Sequence, residues 1–262
     1  MSERDAYEPG VPCWVTTIQP DPDAAAAFYG AVLGWDAEPA DGYLVARLRG
    51  RQVASIAPLP PGADPAAAPA WITHVSVADA DASAATATGA GGTVLARLDE
   101  PAGRSAVIAD PGGAVVCLWQ PGARQGAELV NEPGAWSMSR LDTPDTAGAA
   151  TFYGALFGWT TETFDLGEAT FTLFRLPGYV GGEPEQPVSR EVVATMVPAQ
   201  DGPARWGVDF WVHDVDAAAE AAEAAGGRAV VAPFDIPIGR TAVLADPAGA
   251  VFTVSRVGAR SG

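Results

Sequence analysis

This sequence contains few histidines, cysteines and lysines, side chains that often carry out proton transfer or nucleophilic attack. The 262 residues include two histidines, His74 and His213, two cysteines, Cys13 and Cys117, and no lysine among 15 basic residues. Without lysine, Schiff-base chemistry on a lysine side chain is excluded. An imidazole titrates near neutral pH, so His74, inside an apolar stretch, is the best candidate general acid or base. A structural hydrogen bond is its alternative role.

The two cysteines say more about the redox compartment of the protein than about its reaction. Cys117 would act as a nucleophile only if a cation, for which His74 is the nearest candidate, stabilised its thiolate. Two cysteines are too few for a disulfide scaffold in a chain of this length, which is typical of a reducing compartment and predicts the cytoplasm. No apolar run approaches the roughly 20 residues that span a bilayer, so no membrane segment is expected.

The charge balance narrows the choice of partner. Thirty-two acidic against 15 basic residues give a formal net charge of −17. A field of that sign repels nucleic acid and anionic membrane surfaces, so neither is expected as a partner. Hydrophobic residues make up 48% of the chain and charged residues 18%, which is enough to bury a substantial core. A small-molecule ligand remains the expected partner.

The sequence repeats itself in three blocks that recur in the same order. FYGAVLGW at residues 28–35 returns as FYGALFGW at 152–159, residues 71–92 return as 206–227, and 104–111 return as 240–247. Such a duplication predicts two similar domains, at residues 1–125 and 132–262. The second half carries an insertion, for which the Gly- and Pro-rich residues 176–187 are the candidate. It is either a lid over a site or a plain surface loop.

Each half contains two units of the same kind. In the first unit a strand at 13–19 precedes a capped helix at 24–33 that ends at Gly34, with strands at 43–49 and 52–58 after it. In the second, a strand at 72–77 and a helix at 80–90 precede strands at 93–97, 105–109 and 114–119. The chain therefore reads as an α+β protein of four strand-helix-strand-strand-strand units.

These features resemble a known superfamily. The AAFYGA-x-x-GW helix, the Asp-Pro-x-Gly turn before the last strand and four tandem βαβββ modules are similar to the vicinal oxygen chelate superfamily. Glyoxalase I, bleomycin-resistance proteins and extradiol dioxygenases belong to it. The resemblance implies two tandem domains with cup-shaped mixed sheets, and the two-domain form is similar to actinobacterial proteins of undemonstrated chemistry.

The resemblance also implies six positions for ligands of a divalent ion, on the first strand of each unit and on the last strand of each half. They fall on Trp14, Ile72 and Cys117 in the first half and on Met138, Gly207 and Thr253 in the second. None of the six is His or Glu, the donors that such ions prefer. We therefore expect no metal and no cofactor, and metal-dependent glyoxalase, dioxygenase and thiol-transfer reactions become unfavoured.

Period-two alternation from these positions predicts which side chains line the cups. The tryptophans offer flat faces for an aromatic ligand, although they could equally fill a closed core. Arg140 and Asp209 lie on neighbouring strands and could form a structural ion pair, or transfer protons as an alternative to His74, and Arg140 could instead clamp an anionic ligand. The lining of the first cup is predicted to include Trp14, Thr16, Ile72, His74, Cys117 and Trp119, and that of the second Met138, Arg140, Asp209, Trp211 and Thr253.

The leading hypothesis is metal-independent binding of a small, apolar, aromatic metabolite or antibiotic, as in self-resistance by sequestration. The alternative is a metal-free enzyme of specialised metabolism that catalyses an isomerisation, cyclisation or hydration by acid-base chemistry. A metal-dependent oxygenase or lyase is a third possibility. The sequence is compatible with a monomer or a homodimer. It leaves open which cup is used and whether the units pair within or across the halves.

Overall fold

The structure is a computed structural model that describes residues 3–63, 69–165, 170–181, 190–200 and 202–257. Part of the predicted insertion loop, residues 182–187, lies outside this description. The described chain forms sixteen strands and four helices. The first half contains β1 (Pro12–Gln19), α1 (Pro22–Leu33), β2 (Asp36–Ala40), β3 (Tyr43–Leu48), β4 (Arg51–Pro58), β5 (Ala70–Ser76), α2 (Ala80–Gly89), β6 (Thr93–Glu100), β7 (Gly103–Ala109) and β8 (Val115–Pro121).

The second half repeats this order. It contains β9 (Trp136–Thr143), α3 (Thr146–Phe157), β10 (Thr160–Asp165), β11 (Thr170–Arg175), β12 (Val192–Pro198), β13 (Arg205–Trp211), α4 (Val215–Ala224), β14 (Arg228–Ile236), β15 (Gly239–Ala245) and β16 (Val251–Val257). Strands β2 and β10 were not predicted. Each is an edge strand with mostly exposed side chains, so neither carries the apolar alternation that reveals a strand.

Each half forms one eight-stranded mixed sheet, in the orders β2-β3-β4-β1-β5-β8-β7-β6 and β10-β11-β12-β9-β13-β16-β15-β14. At the centre, β1 runs antiparallel to β5, and β5 runs parallel to β8. The α+β prediction with two tandem mixed sheets is confirmed. The two units of a half share one sheet, which settles the pairing that the sequence left open.

Local signals set the ends of the helices. Before α1, Asp21 accepts a hydrogen bond from the backbone N–H of Ala24 at 3.0 Å, and Asp145 does the same for Gly148 before α3 at 2.8 Å. Both helices end at a glycine in the left-handed region, Gly34 at φ 75° and Gly158 at φ 74°. The repeated Gly-Trp pair therefore ends each helix, and the next strand begins one residue after the tryptophan.

The hydrophobic cores cross between the halves. Helix α1 packs against α4, and α2 packs against α3. One buried cluster joins Phe28 and Tyr29 of the first half to Phe210 and Phe252 of the second. The other joins the α2 region to Phe152 and neighbouring aromatic residues of the second half. Each helix therefore packs on a helix of the opposite half.

The repeated FYG…GW motif supplies the polar ties of this packing. The Tyr29 hydroxyl donates to Asp246 at 2.9 Å, and the Tyr153 hydroxyl donates to Asp110 at 2.8 Å, so each motif reaches the Asp-Pro turn of the other half. The tryptophans behave in the same way: Trp35 Nε1 donates to the Gly134 carbonyl and Trp159 Nε1 to that of Gly10, both at 2.7 Å. The most conspicuous motif in the sequence is thus a structural tie between the halves.

Candidate functional site

Two equivalent rows of side chains mark the concave faces of the sheets. In the first half Trp14 pairs with His74, which pairs with Cys117. In the second half Asp209 pairs with Met138 on one side and with Thr253 on the other. The first cup is the face that carries Trp14, Thr16, Ile72, His74, Cys117 and Trp119. The second cup is the face that carries Met138, Arg140, Gly207, Asp209, Trp211 and Thr253.

The first cup is closed by its own side chains. Trp14, Cys117 and Trp119 are 0%, 2% and 3% exposed, and a hydrogen-bonded chain crosses the floor between them. Trp14 Nε1 donates to Ser55 Oγ at 2.9 Å, and the Thr16 hydroxyl lies 2.7 Å from Ser55 Oγ. The same hydroxyl lies 2.8 Å from His74 Nε2. Trp14 and Trp119 therefore pack as core residues, which is one of the two roles that the sequence allowed them.

An arginine that the sequence analysis missed covers this cup. The guanidinium carbon of Arg124 lies 4.6 Å from the ring centroids of both Trp14 and Trp119. Its Nη1 donates to the Tyr43 hydroxyl at 3.1 Å. Arg124 belongs to the segment between β8 and β9, whose Gly and Pro content indicated only a connection. The signal that could have found Arg124 is the repetition of Gly-Ala-Arg at residues 122–124 and 258–260, at the same offset as the third repeated block.

Burial removes the acid-base chemistry expected of the first cup. Desolvation, with Arg124 adding to it, lowers the pKa of His74 to about 3, so its imidazole is neutral at neutral pH. The expectation that His74 titrates near neutral pH is therefore wrong. Desolvation also raises the pKa of Cys117 to about 12, which keeps its thiol protonated and argues against a nucleophile. A catalytic role for His74 stays a prediction, and its lowered pKa does not favour that role.

The second cup is more open and holds the group that titrates near neutral pH. Met138, Asp209, Trp211 and Thr253 are all half-buried. Desolvation raises the pKa of Asp209 to about 7, although a hydrogen bond from Ser255 and the charge of Arg140 act in the opposite direction. The Ser255 hydroxyl donates to Asp209 Oδ2 at 2.6 Å, whereas Oδ1 is buried with no hydrogen-bond partner among the described residues.

Arg140 forms a different ion pair from the predicted one. Its Nε donates to Asp142 at 2.8 Å, and Arg205 approaches the same carboxylate at 3.1 Å. The expected Arg140–Asp209 pair is therefore not the pair that forms. Asp142 lies two residues along the same strand and thus on the same face, whereas Arg140 pairs in register with Gly207 rather than with Asp209. The Arg140 side chain remains 41% exposed.

One wall of the second cup is apolar and accessible. The register continues from Asp209 through Thr253 and Val243 to Val231, and from Trp211 through Ser255 and Thr241 to Phe234. Val231, Phe234 and the cup-facing Val251 are 44%, 43% and 46% exposed. Val231 and Phe234 were not predicted, because the predicted lining covers three strands of each half and leaves out β14, whose bulges also shift its register. The second cup therefore combines an apolar wall with converging polar groups, as small-molecule sites do.

The residues present do not fit a divalent metal ion at the positions implied by the resemblance. Trp14, Ile72 and Gly207 have no donor atom suited to such an ion, Met138 offers only a thioether, and Cys117 stays protonated. Within the described residues, no group of three or more His, Cys, Asp or Glu side chains is placed to hold an ion.

Comparison with known proteins identifies the family. The sequence model of the glyoxalase-like domain matches residues 14–119 and again residues 139–255. The chain belongs to the glyoxalase-like family. The two matched ranges of this glyoxalase-like chain begin on β1 and β9 and end on β8 and β16, so each spans the central strands of one sheet.

Two relatives match this glyoxalase-like chain over nearly its whole length. It is 40% identical over 266 residues to the protein named "Putative glyoxylase CFP32" of Mycobacterium tuberculosis, covering 97% of each chain. It is 34% identical to the anthracycline biosynthesis protein DnrV of Streptomyces peucetius, covering 95% of this chain and 94% of that protein. Its homologues thus come from actinobacteria and include proteins of antibiotic biosynthesis.

Solved structures share the fold at low sequence identity. The Mn(II)-bound glyoxalase from Novosphingobium aromaticivorans aligns with a TM-score of 0.65 and 18% identity, over 94% of this chain and 82% of that one. The 2,2',3-trihydroxybiphenyl 1,2-dioxygenase from Sphingomonas wittichii aligns with a TM-score of 0.64 and 14% identity, over 96% and 92% of the two chains. These likenesses confirm the vicinal oxygen chelate fold. Separately, no helix in the described part of the chain is long and apolar enough to cross a membrane.

Proposed function

We propose that this protein binds a small, largely apolar aromatic metabolite in the second cup without a metal ion. The observation that carries the proposal is the pairing of an accessible apolar wall, Val231, Phe234 and Val251, with the unpartnered Oδ1 of Asp209 on one concave face. Such a site buries the body of a ligand by the hydrophobic effect and fixes its orientation with few polar contacts.

The polar groups favour a ligand with phenol or quinone oxygens. Because the pKa of Asp209 is about 7, its carboxyl is partly protonated at neutral pH and can donate to a ligand oxygen or accept from one. Arg140, with its half-exposed guanidinium, adds donors that favour a phenolate. The relative DnrV is named for anthracycline biosynthesis, and anthracyclines are aromatic compounds that bear such oxygens, which supports this ligand class.

The test uses 1,8-dihydroxyanthraquinone as the probe, titrated by calorimetry into protein treated with EDTA and dialysed. We expect binding that the chelator leaves unchanged and that Phe234→Ala weakens at least tenfold. The matched control is Leu98→Ala, because Leu98 occupies the equivalent place on β6 of the first half and is similarly exposed. Loss of binding after EDTA treatment, or equal weakening by the two variants, would refute the proposal.

A second candidate function is metal-free acid-base catalysis in the same cup, on a substrate that isomerises, cyclises or adds water. The pKa of Asp209 near 7 favours it, because a general acid or base works best near the operating pH. If Asp209 is catalytic, Asp209→Asn should lower turnover by roughly 10² to 10⁴ while the substrate still binds. The equivalent variant His74→Asn should leave turnover unchanged. A protein that binds the ligand and never converts it favours the first function.

We propose the cytoplasm as the site of action, since Cys13 and Cys117 are both free and buried, as expected of a protein from a reducing compartment. Fractionation of the native cells tests this location. A monomer or a homodimer fits the proposed function, because all residues of the second cup come from one half of one chain.

A further inference from the structure

The first cup contains a cation held by aromatic rings. Arg124 places its guanidinium carbon 4.6 Å from the centroids of Trp14 and Trp119 and 5.8 Å from that of Tyr43. Attraction between a cation and the face of an indole is strongest where water is excluded, and both indoles are almost completely buried. The arrangement thus has the chemistry of a cation-binding aromatic cage.

The cage and its occupant belong to different parts of the fold. Trp14 and Trp119 lie on the central strands β1 and β8, whereas Arg124 lies on the segment that connects β8 to β9. Backbone hydrogen bonds hold that segment over the cup: Arg124 N donates to the Ala102 carbonyl at 3.0 Å, and Ala127 N donates to that of Cys13 at 2.8 Å. Trp119 Nε1 also donates to the Arg124 carbonyl at 3.3 Å.

Within the described residues, the second cup has no such pair of indoles. Met138 stands where the first cup has Trp14, and Ser255 stands where it has Trp119. The aromatic pair is therefore not imposed by the fold, since the same sheet forms with a thioether and a hydroxyl at these places. In the first cup Arg124 Nε is also buried with no hydrogen-bond partner among the described residues, so the rings rather than a full set of hydrogen bonds hold the guanidinium.

We propose that the first cup is an aromatic cage for a guanidinium or alkylammonium group, and that Arg124 occupies it from within the same chain. While Arg124 is in place, a free cation must compete with a tethered one, whose effective concentration is high. Truncation of Arg124 leaves the cage open to a free cation of the same shape. This site is separate from the ligand site proposed for the second cup and does not depend on it.

The experiment compares the melting temperatures of the intact protein and Arg124→Ala in 10 mM methylguanidinium chloride. We expect Arg124→Ala to melt about 4 to 8 °C below the intact protein and methylguanidinium to restore about half of that loss. Methylurea, which has a similar shape and no charge, and sodium chloride at the same concentration should restore nothing. None of the three compounds should raise the melting temperature of the intact protein, because Arg124 already occupies its cage.

A matched variant controls for the loss of any arginine. Arg47→Ala removes a half-buried arginine that pairs with Glu38 rather than with aromatic rings, and methylguanidinium should not restore its melting temperature. Equal restoration of Arg124→Ala by methylguanidinium and sodium chloride, or restoration of both variants, would overturn the proposal. If Arg124→Ala fails to fold, Arg124→Lys and Arg124→Gln decide: the lysine variant should melt higher than the glutamine variant, and the reverse order or equality would refute the cage.

Discussion

The two cups are built from the same strands in the same order, and they differ in what fills them. His74 and Asp209 occupy equivalent places in the central row, but His74 is neutral beneath Arg124 and the aromatic rings, whereas Asp209 faces an accessible apolar wall. The difference shows that the duplicated sheet specifies a concave surface and leaves its chemistry to a few side chains. Trp14 and Trp119 of the first cup are packed as core residues, whereas the second cup has exposed apolar side chains on the face that carries Asp209.

The largest effect on stability should come from truncating Trp14 in the first cup, compared with its equivalent Met138 in the second. Trp14→Ala removes a fully buried side chain and should lower the free energy of unfolding by about 3–5 kcal/mol. Met138→Ala removes its half-buried equivalent and should cost only about 1 kcal/mol. Urea denaturation of both variants measures the two losses, and equal losses would contradict a closed first cup beside an open second one.

The pH dependence of stability should expose Asp209. Its folded pKa lies above its ordinary value, so its contribution to stability is fully present below about pH 4 and is lost as the pH rises to about 7. Relative to Asp209→Asn, the intact protein should lose about 2 kcal/mol of unfolding free energy between pH 5 and pH 8. Denaturation at both pH values measures the loss. A difference that does not depend on pH would mean that Asp209 titrates normally.

His74 should produce the opposite dependence. Its folded pKa lies below its ordinary value of 6.5, so its contribution is present above pH 6.5 and is lost as the pH falls toward 3. Between pH 7 and pH 5, the intact protein should lose about 1.5 kcal/mol relative to His74→Gln. The same denaturation series tests this sign. Stability that rises relative to the variant on acidification would place a charged imidazole in the first cup.

The smallest effect should be electrostatic and confined to the second cup. Arg140 lowers the pKa of Asp209, so Arg140→Ala should raise the pH at which Asp209 titrates by about 0.5 pH units. Carboxyl carbon NMR of Asp209 follows this titration. Arg205→Ala is the control, because Arg205 also pairs with Asp142 and has a more exposed side chain. An equal change in both variants would show that general charge, rather than Arg140, sets the titration.

Strand periodicity predicted the concave row of each cup, because alternate residues on a strand face the same side whatever surrounds the sheet. The prediction did not extend to Phe234 and Val231, whose strand contains bulges, and it did not identify Asp142 as the ion-pair partner of Arg140. It also misjudged the titration of His74, since a pKa depends on burial and on Arg124, which lies 50 residues away in the chain. Edge strands β2 and β10 escaped prediction because their side chains are mostly exposed.

The amino-acid sequence by itself determined the duplication, the four capped helices, the cup-facing residues of the central strands and the lack of His and Glu at six positions. Each of these follows from local patterns and residue chemistry. Only the tertiary structure decided that the helices pack across the halves, that Arg124 closes the first cup and that Asp209 is the group poised near neutral pH. Those outcomes depend on contacts between distant segments, which set burial and therefore the energy of every charge and cavity.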